Sequence, residues 1–268
     1  MRRGWIVANG LTLAYQDWGG AGRPCLLLHG VFGRTTTWER TARALRDVGW
    51  RPIALDMRGH GLSRWPKTGY DRATLVSDVE QAMEALGMRD ALVVGHSIGS
   101  LNAWCLADRR PDLVGALVAV DMPPELPLKA SAPHVAWAES LPVPFASVEA
   151  ARHFFLRSFP ARPRTADYFL ETLRQGRNGY GVRFSVPAVR ESFRGIAERS
   201  WMPELHRVRQ PTLIVRGYQG AIPAGVARDM VAGLERGELI TVPKAGHALH
   251  YDNEEGWRRA LVDFVGRV

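Results

Sequence analysis

Apolar residues in this chain come in short runs separated by amphipathic stretches, and that alternation predicts most of its elements. Ile6-Val7 and Leu11–Trp18 flank Asn9-Gly10, a dipeptide suited to the two left-handed positions of a tight β-hairpin turn. Cys25–Leu28 reads as a short buried strand, Trp38–Val48 as a helix, and Pro52–Leu55 as a second buried strand running into Asp56. Leu75, Val79, Met83 and Leu86 then recur at helical spacing, with Gly87 as the stop. Ala91–Val94 is another buried strand, followed by a helix from Ser97 to about Arg110 that Pro111 closes, and by a strand over Val114–Val120.

From Met122 to Trp201 the pattern changes. Prolines punctuate its first part, and aromatic-bearing helical stretches follow, notably Val148–Phe159 and Thr165–Leu173. Alternation resumes with a strand at Thr212–Val215, a helix near Val226–Leu234 and a strand at Leu239–Val242. A last helix then places Trp257, Leu261, Phe264 and Val265 on one face. Strands alternating with helices argue for an α/β fold whose parallel sheet is covered on both faces. The expected organisation is a core of residues 1–121 and 202–268, interrupted by a helical cap over 122–201.

Composition narrows the function classes. No stretch approaches the ~20 apolar residues needed to cross a bilayer, and the basic start leads into an alternating segment rather than an apolar signal core, so a cytoplasmic protein without membrane contact is expected. Cys25 and Cys105 both lie in apolar surroundings and read as buried free thiols, too few for a disulfide framework or a zinc motif. The formal charge is +8, and only Lys67, Lys129 and Lys244 are lysines, so the excess is arginine. With no recognition motif, basic helix or basic tail, the charge reads as a solvated surface and no nucleic-acid partner is expected. Nothing in the sequence speaks to oligomeric state.

The chemistry centres on Gly95-His96-Ser97-Ile98-Gly99, where a strand hands over to a helix. A serine on such a tight turn is lifted above the sheet, and the crowded backbone tolerates only small residues two positions either side, which Gly95 and Gly99 supply. The N–H of Ile98 at the helix start is placed to hold a developing oxyanion. A second donor should come from His29-Gly30-Val31-Phe32-Gly33, where glycine lets the backbone approach a ligand; the Val31 N–H is expected there, with Phe32 as fallback. A serine hydroxyl needs a neighbouring base. Of eight histidines, His29, His60 and His96 belong to turns, while His134, His153 and His206 lie in or beside the insertion. His247, in the loop after the final strand, is the expected base, and His250 is its competitor.

Together, His29–Gly33, Asp56–Ser63, Gly95–Gly99 and Ala245–His247 resemble the α/β-hydrolase superfamily, most closely its serine-nucleophile esterase, haloperoxidase-like and enol-lactonase groups. The resemblance spans essentially the whole chain. It implies an eight-stranded, mostly parallel sheet, a lid inserted after strand six, and cofactor-free hydrolysis through an acyl-enzyme. One departure stands out. The family's acid usually follows strand seven in a Gly-x-x-Asp arrangement, which here is Gly217-Tyr218-Gln219-Gly220. Some members carry it after strand six instead, where Asp121 stands, so Asp121 is expected to orient His247. Asp229 is a weaker substitute, and Asp56 is expected to stabilise its own turn.

Serine at the elbow points to acyl substrates, as of a carboxylesterase or lactonase, rather than to the alkyl-ester chemistry of aspartate-bearing relatives. Between Ala151 and Ser200, arginines outnumber acids by six, which offers attraction to an anionic acyl substrate if any of them faces the cleft. Two other readings stay open: a biosynthetic enzyme performing acyl transfer or carbon–carbon cleavage, and a ligand-binding protein that retains a slow triad.

Overall fold

The computed structural model describes all 268 residues. In chain order it comprises β1 (Arg2–Ala8), β2 (Leu11–Asp17), β3 (Pro24–Leu28), α1 (Glu39–Asp47), β4 (Arg51–Leu55), α2 (Arg72–Ala85), β5 (Ala91–His96), α3 (Ile98–Arg109) and β6 (Val114–Val120). Helices α4 (Leu128–Glu139), α5 (Val148–Ser158) and α6 (Pro163–Glu171) follow, then the short strands β7 (Arg174–Gly176) and β8 (Gly179–Gly181), then α7 (Val186–Ala197) and α8 (Met202–His206). The chain closes with β9 (Thr212–Gly217), α9 (Ala224–Ala232), β10 (Gly237–Val242), α10 (Leu249–Asp252) and α11 (Glu254–Val265).

Eight strands form one sheet in the order β1-β2-β4-β3-β5-β6-β9-β10. The β1–β2 hairpin turns at Asn9 (φ 50°) and Gly10 (φ 73°), both left-handed as a type I′ turn requires, and β2 pairs antiparallel with β4; every pairing from β4 to β10 is parallel. The central strands β3, β5 and β6 are apolar along almost their whole length because both of their faces are covered. Alternate residues still divide cleanly. Leu27, Val94, Val118 and Val215 pack under α1 and α11 with Leu45, Trp257, Leu261 and Phe264. Leu26, Val93, Leu117 and Ile214 pack on the other face with Val79, Met83, Leu101 and Met230.

The segment between β6 and α8 leaves the sheet. Its ends meet where the Trp201 N–H donates to the Pro124 carbonyl (2.8 Å). It is stitched to the loops above the sheet at several points: Gly61 N–H to Arg183 O (2.7 Å), Ser185 N–H to Gly59 O (2.9 Å), and Thr36 Oγ1 to Glu171 O (2.7 Å). Helix α4 lies within the proline-punctuated stretch that sequence periodicity leaves without a helix. Pro127 only precedes its first turn, and Pro133 removes a single helical N–H, while Trp137 and Ala138 pack against the aromatic interior of the insertion.

Candidate active site

Ser97 stands alone between β5 and α3 with φ 53° and ψ −125°, a conformation costing a non-glycine residue about 1–3 kcal/mol. Its surroundings enforce it. The Ser97 N–H donates to Val120 O (2.8 Å), extending the β5–β6 pairing, and Ser100 Oγ donates to Gly95 O (2.6 Å). A Cβ on Gly95 would lie 2.4 Å from the Gly99 backbone, and one on Gly99 would lie 2.2 Å from Leu28 O. The glycine requirement at the elbow is therefore steric, and at Gly99 it brings the start of α3 against the end of β3.

That contact sets the next loop beside the serine. A Cβ on Gly30 would be 3.2 Å from Ser97 Cβ, so the His29–Gly33 turn touches the elbow directly. The Gly30 carbonyl lies 2.8 Å from both His29 Nδ1 and the Gly33 N–H. Because the Gly30–Val31 peptide is planar and trans, pinning its oxygen turns the Val31 N–H the opposite way. His29 Nε2 accepts from the Met57 N–H (3.0 Å), which makes Nδ1 the protonated nitrogen, and burial draws the His29 pKa well below its usual range. His60 Nε2 lies 2.8 Å from the Val31 carbonyl and fixes the following peptide, which carries the Phe32 N–H. Ile98 opens α3, so its N–H has no acceptor within the helix.

Asp121 continues β6 by one residue, donating its N–H to Val215 O (2.8 Å) at φ 49°. Its fully buried carboxylate accepts from the Gly217 N–H (3.1 Å) and the Ala221 N–H (2.6 Å), and it lies 2.8 Å from His247 Nδ1. Nε2 is then the His247 nitrogen turned away from the acid, on a side chain 45% exposed. The elbow and the histidine loop dock through His96, whose Nε2 lies 2.9 Å from His247 O and whose ring is 4.7 Å from the His247 ring. Ser97 Oγ itself makes no hydrogen bond to His247 here; such contacts often tighten only around bound substrate. The competing histidine is elsewhere in character. His250 is fully buried, stacked 5.2 Å from Trp38, without an acid partner, and burial pushes its pKa down to about 3.

Two supporting residues escape sequence inspection. Asp252 accepts from the Gly246 N–H (2.8 Å), immediately before His247, and from Thr165 Oγ1 (3.1 Å) of α6. Arg162, just ahead of α6, packs on Gly246 and donates to Gln219 O (2.9 Å). Both link residues distant in the chain, so no local pattern marks them. Asp56 behaves as expected of a turn anchor: it accepts from Leu62 N–H (2.8 Å) and also from Thr35 N–H (2.6 Å), tying its turn to the segment after Gly33. Several arginines of the insertion spend their charge on acids, Arg152 with Asp167 (3.1 Å), Arg190 with Glu139, and Arg199 with Glu204 (2.5 Å). Arg162 is the one that reaches the histidine loop.

Above Phe32 the insertion contributes a cluster of rings: Trp137 at 5.3 Å, Phe184 at 5.2 Å and Phe169 at 6.0 Å. The structure contains no group of three or more His, Cys, Asp or Glu side chains arranged to hold a metal ion, and no helix long and apolar enough to cross a membrane.

Comparison with known proteins gives the same architecture. A family model described as the alpha/beta hydrolase fold matches residues 23–254. The chain is 28% identical over 254 residues to the 2-(acetamidomethylene)succinate hydrolase of Mesorhizobium japonicum, covering 92% of this chain and 89% of that one. It is also 28% identical to the non-heme chloroperoxidase of Streptomyces lividans, over 89% of this chain and 94% of that protein. Among solved structures, an E-2-(acetamidomethylene)succinate hydrolase superposes with a TM-score of 0.89 at 26% identity, covering 99% of each chain.

Proposed function

Because this chain belongs to the alpha/beta hydrolase fold family, we propose that it hydrolyses a carboxylic ester, lactone or related acyl compound through an acyl-enzyme on Ser97. The observation that supports this best is the buried Asp121 carboxylate held on His247 Nδ1 at 2.8 Å, with Nε2 left open next to the serine elbow. In this reading His247 Nε2 takes the proton from Ser97 Oγ as that oxygen bonds to the substrate carbonyl carbon. The carbonyl oxygen gains negative charge and is received by the N–H groups of Val31 and Ile98. Collapse breaks the bond to the leaving group, which takes the proton back from His247. Water then repeats the sequence on the acyl-enzyme and frees Ser97. Asp121 holds the Nδ1–H tautomer and stabilises the imidazolium formed in each half.

Residues 122–201 are read as a cap over this site, with Phe32 and Trp137 forming part of the wall that meets the acyl group. The family premise alone covers several chemistries, since one fold serves many reactions. The direct test is labelling by a fluorophosphonate probe followed by peptide mapping. The reading requires modification at Ser97 that Ser97→Ala abolishes, together with turnover of short-chain p-nitrophenyl esters. An unlabelled Ser97 in folded protein would refute it.

A further inference from the structure

Arg183 forms a wall common to two surface clefts lined by none of Ser97, Asp121 and His247. One, of about 580 Å³, is lined by residues including Trp5, Arg64, Trp65 and Arg183; the other, of about 410 Å³, by residues including Arg174 and Arg183. No carboxylate lines either cleft. Arg183 is fixed in place, donating from Nε (2.9 Å) and Nη2 (2.5 Å) to Gly61 O, with its guanidinium 5.0 Å over the Trp65 ring. That leaves Nη1 as its free donor pair.

Positive charge outnumbers negative here, with Arg3, Arg34, Arg174 and Arg183 set against one carboxylate, Asp56. Burial and the neighbouring Arg174 draw the Arg183 pKa down, and burial together with Arg183, Arg3 and Arg174 does the same to Arg34. Asp56 is the one acid that opposes this for both residues, and its two oxygens are already taken by the Thr35 and Leu62 N–H groups. One Arg34 nitrogen, Nη1, is buried without a hydrogen-bond partner. In the larger cleft two indoles stand open beside Arg183 and Arg64, Trp5 at 57% and Trp65 at 39% exposure. Guanidinium forks match phosphate oxygens, and exposed indole faces stack on planar bases. The larger cleft has the size of a small-molecule site, not of a track for a strand.

We propose that the Trp5–Trp65–Arg183 cleft binds a nucleotide group, its phosphates held by Arg183 and Arg64 and its base stacked on an indole. A free nucleoside diphosphate and a nucleotide-bearing acyl carrier present the same chemistry. This site stands independently of the reaction assigned to Ser97.

The test is titration of the full-length protein at low salt, followed by tryptophan fluorescence and calorimetry, with ADP, adenosine, pyrophosphate, coenzyme A and a short single-stranded oligonucleotide. ADP should bind once per chain, about tenfold or more tighter than adenosine or pyrophosphate, and weaken as salt rises. Arg64→Gln and Trp5→Ala, both at exposed positions, should each weaken ADP by roughly fivefold or more while leaving p-nitrophenyl ester turnover unchanged. Coenzyme A outcompeting ADP would identify the carrier as the source, and equal binding the free nucleotide; both support the site. Pyrophosphate binding as tightly as ADP, preference for the oligonucleotide, wild-type affinity in both variants, or no saturable ADP binding would overturn it.

Discussion

The carboxylate of Asp121 occupies the space that a side chain on Gly220 would need: a Cβ there would lie 2.2 Å from Asp121 Oδ1. The two positions at the ends of β6 and β9 are therefore alternatives. An acid at 121 requires a side chain as small as glycine at 220, which accounts for the glycine at the place where relatives usually carry the acid.

This exclusivity makes the acid testable from both sides. Asp121→Asn should lower kcat by about 10³–10⁴-fold, because the amide no longer holds the correct His247 tautomer. Gly220→Asp alone should lower the thermal unfolding temperature, since it forces a second carboxylate against a fully buried one. Wild-type kcat in Asp121→Asn would assign the acid elsewhere, and wild-type stability in Gly220→Asp would contradict the packing described.

Asp252 should act as a positioning residue for the histidine loop. In Asp252→Ala the Gly246 N–H loses its acceptor, and a small displacement of His247 should cost kcat about 10–100-fold with KM little changed. Asp252→Asn retains an oxygen for Gly246 and gains an NH₂ that can donate to Thr165 Oγ1, so it should recover most of the rate. Equal losses in both variants would point instead to the carboxylate charge.

His250 predicts a specific loss of stability in acid. Its folded pKa of about 3 lies below the unfolded value near 6.5, so the unfolded chain binds the proton more readily between those limits. Its effect is absent above pH 6.5 and grows as pH falls toward 3, reaching roughly 2–3 kcal/mol by about pH 4.5. His250→Phe keeps a ring against Trp38 and removes the titration. Chemical denaturation at pH 7 and pH 4.5 should show a smaller drop for the variant than for the parent; identical drops would rule out this contribution.

Arg162 predicts charge selectivity. With a guanidinium at the histidine loop, kcat/KM for an anionic ester should fall a few-fold on the order of a tenfold rise in salt, while that of a neutral ester stays level. Arg162→Gln should remove the difference between the two substrates. A parent enzyme with the same salt response for both would show that the arginines of residues 122–201 play no part in attracting substrate.

Much of the architecture was legible because it rests on local patterning. Asn9-Gly10 favours a left-handed pair, and the unbroken apolar runs Cys25–Leu28 and Val114–Val120 suit strands covered on both faces. Helix α4 was hidden because proline reads as a breaker, whereas the ring cluster around Trp137 outweighs the single N–H lost at Pro133. The Ser97 turn was legible because Gly95 and Gly99 mark backbone crowding with no room for a Cβ.

The sequence by itself determined the order of elements, the strand-to-helix bend that carries Ser97, and the candidacy of His247, because backbone sterics and hydrophobic period act over a few neighbouring residues. Only the tertiary structure decided between His247 and His250 as the histidine bearing an acid, explained Gly220 by Asp121, and revealed Asp252 and Arg162 in contact with the histidine loop. Those outcomes depend on which distant loops meet above the sheet and on how deeply each side chain is buried. Both follow from packing of the whole chain, and no short stretch of it records them.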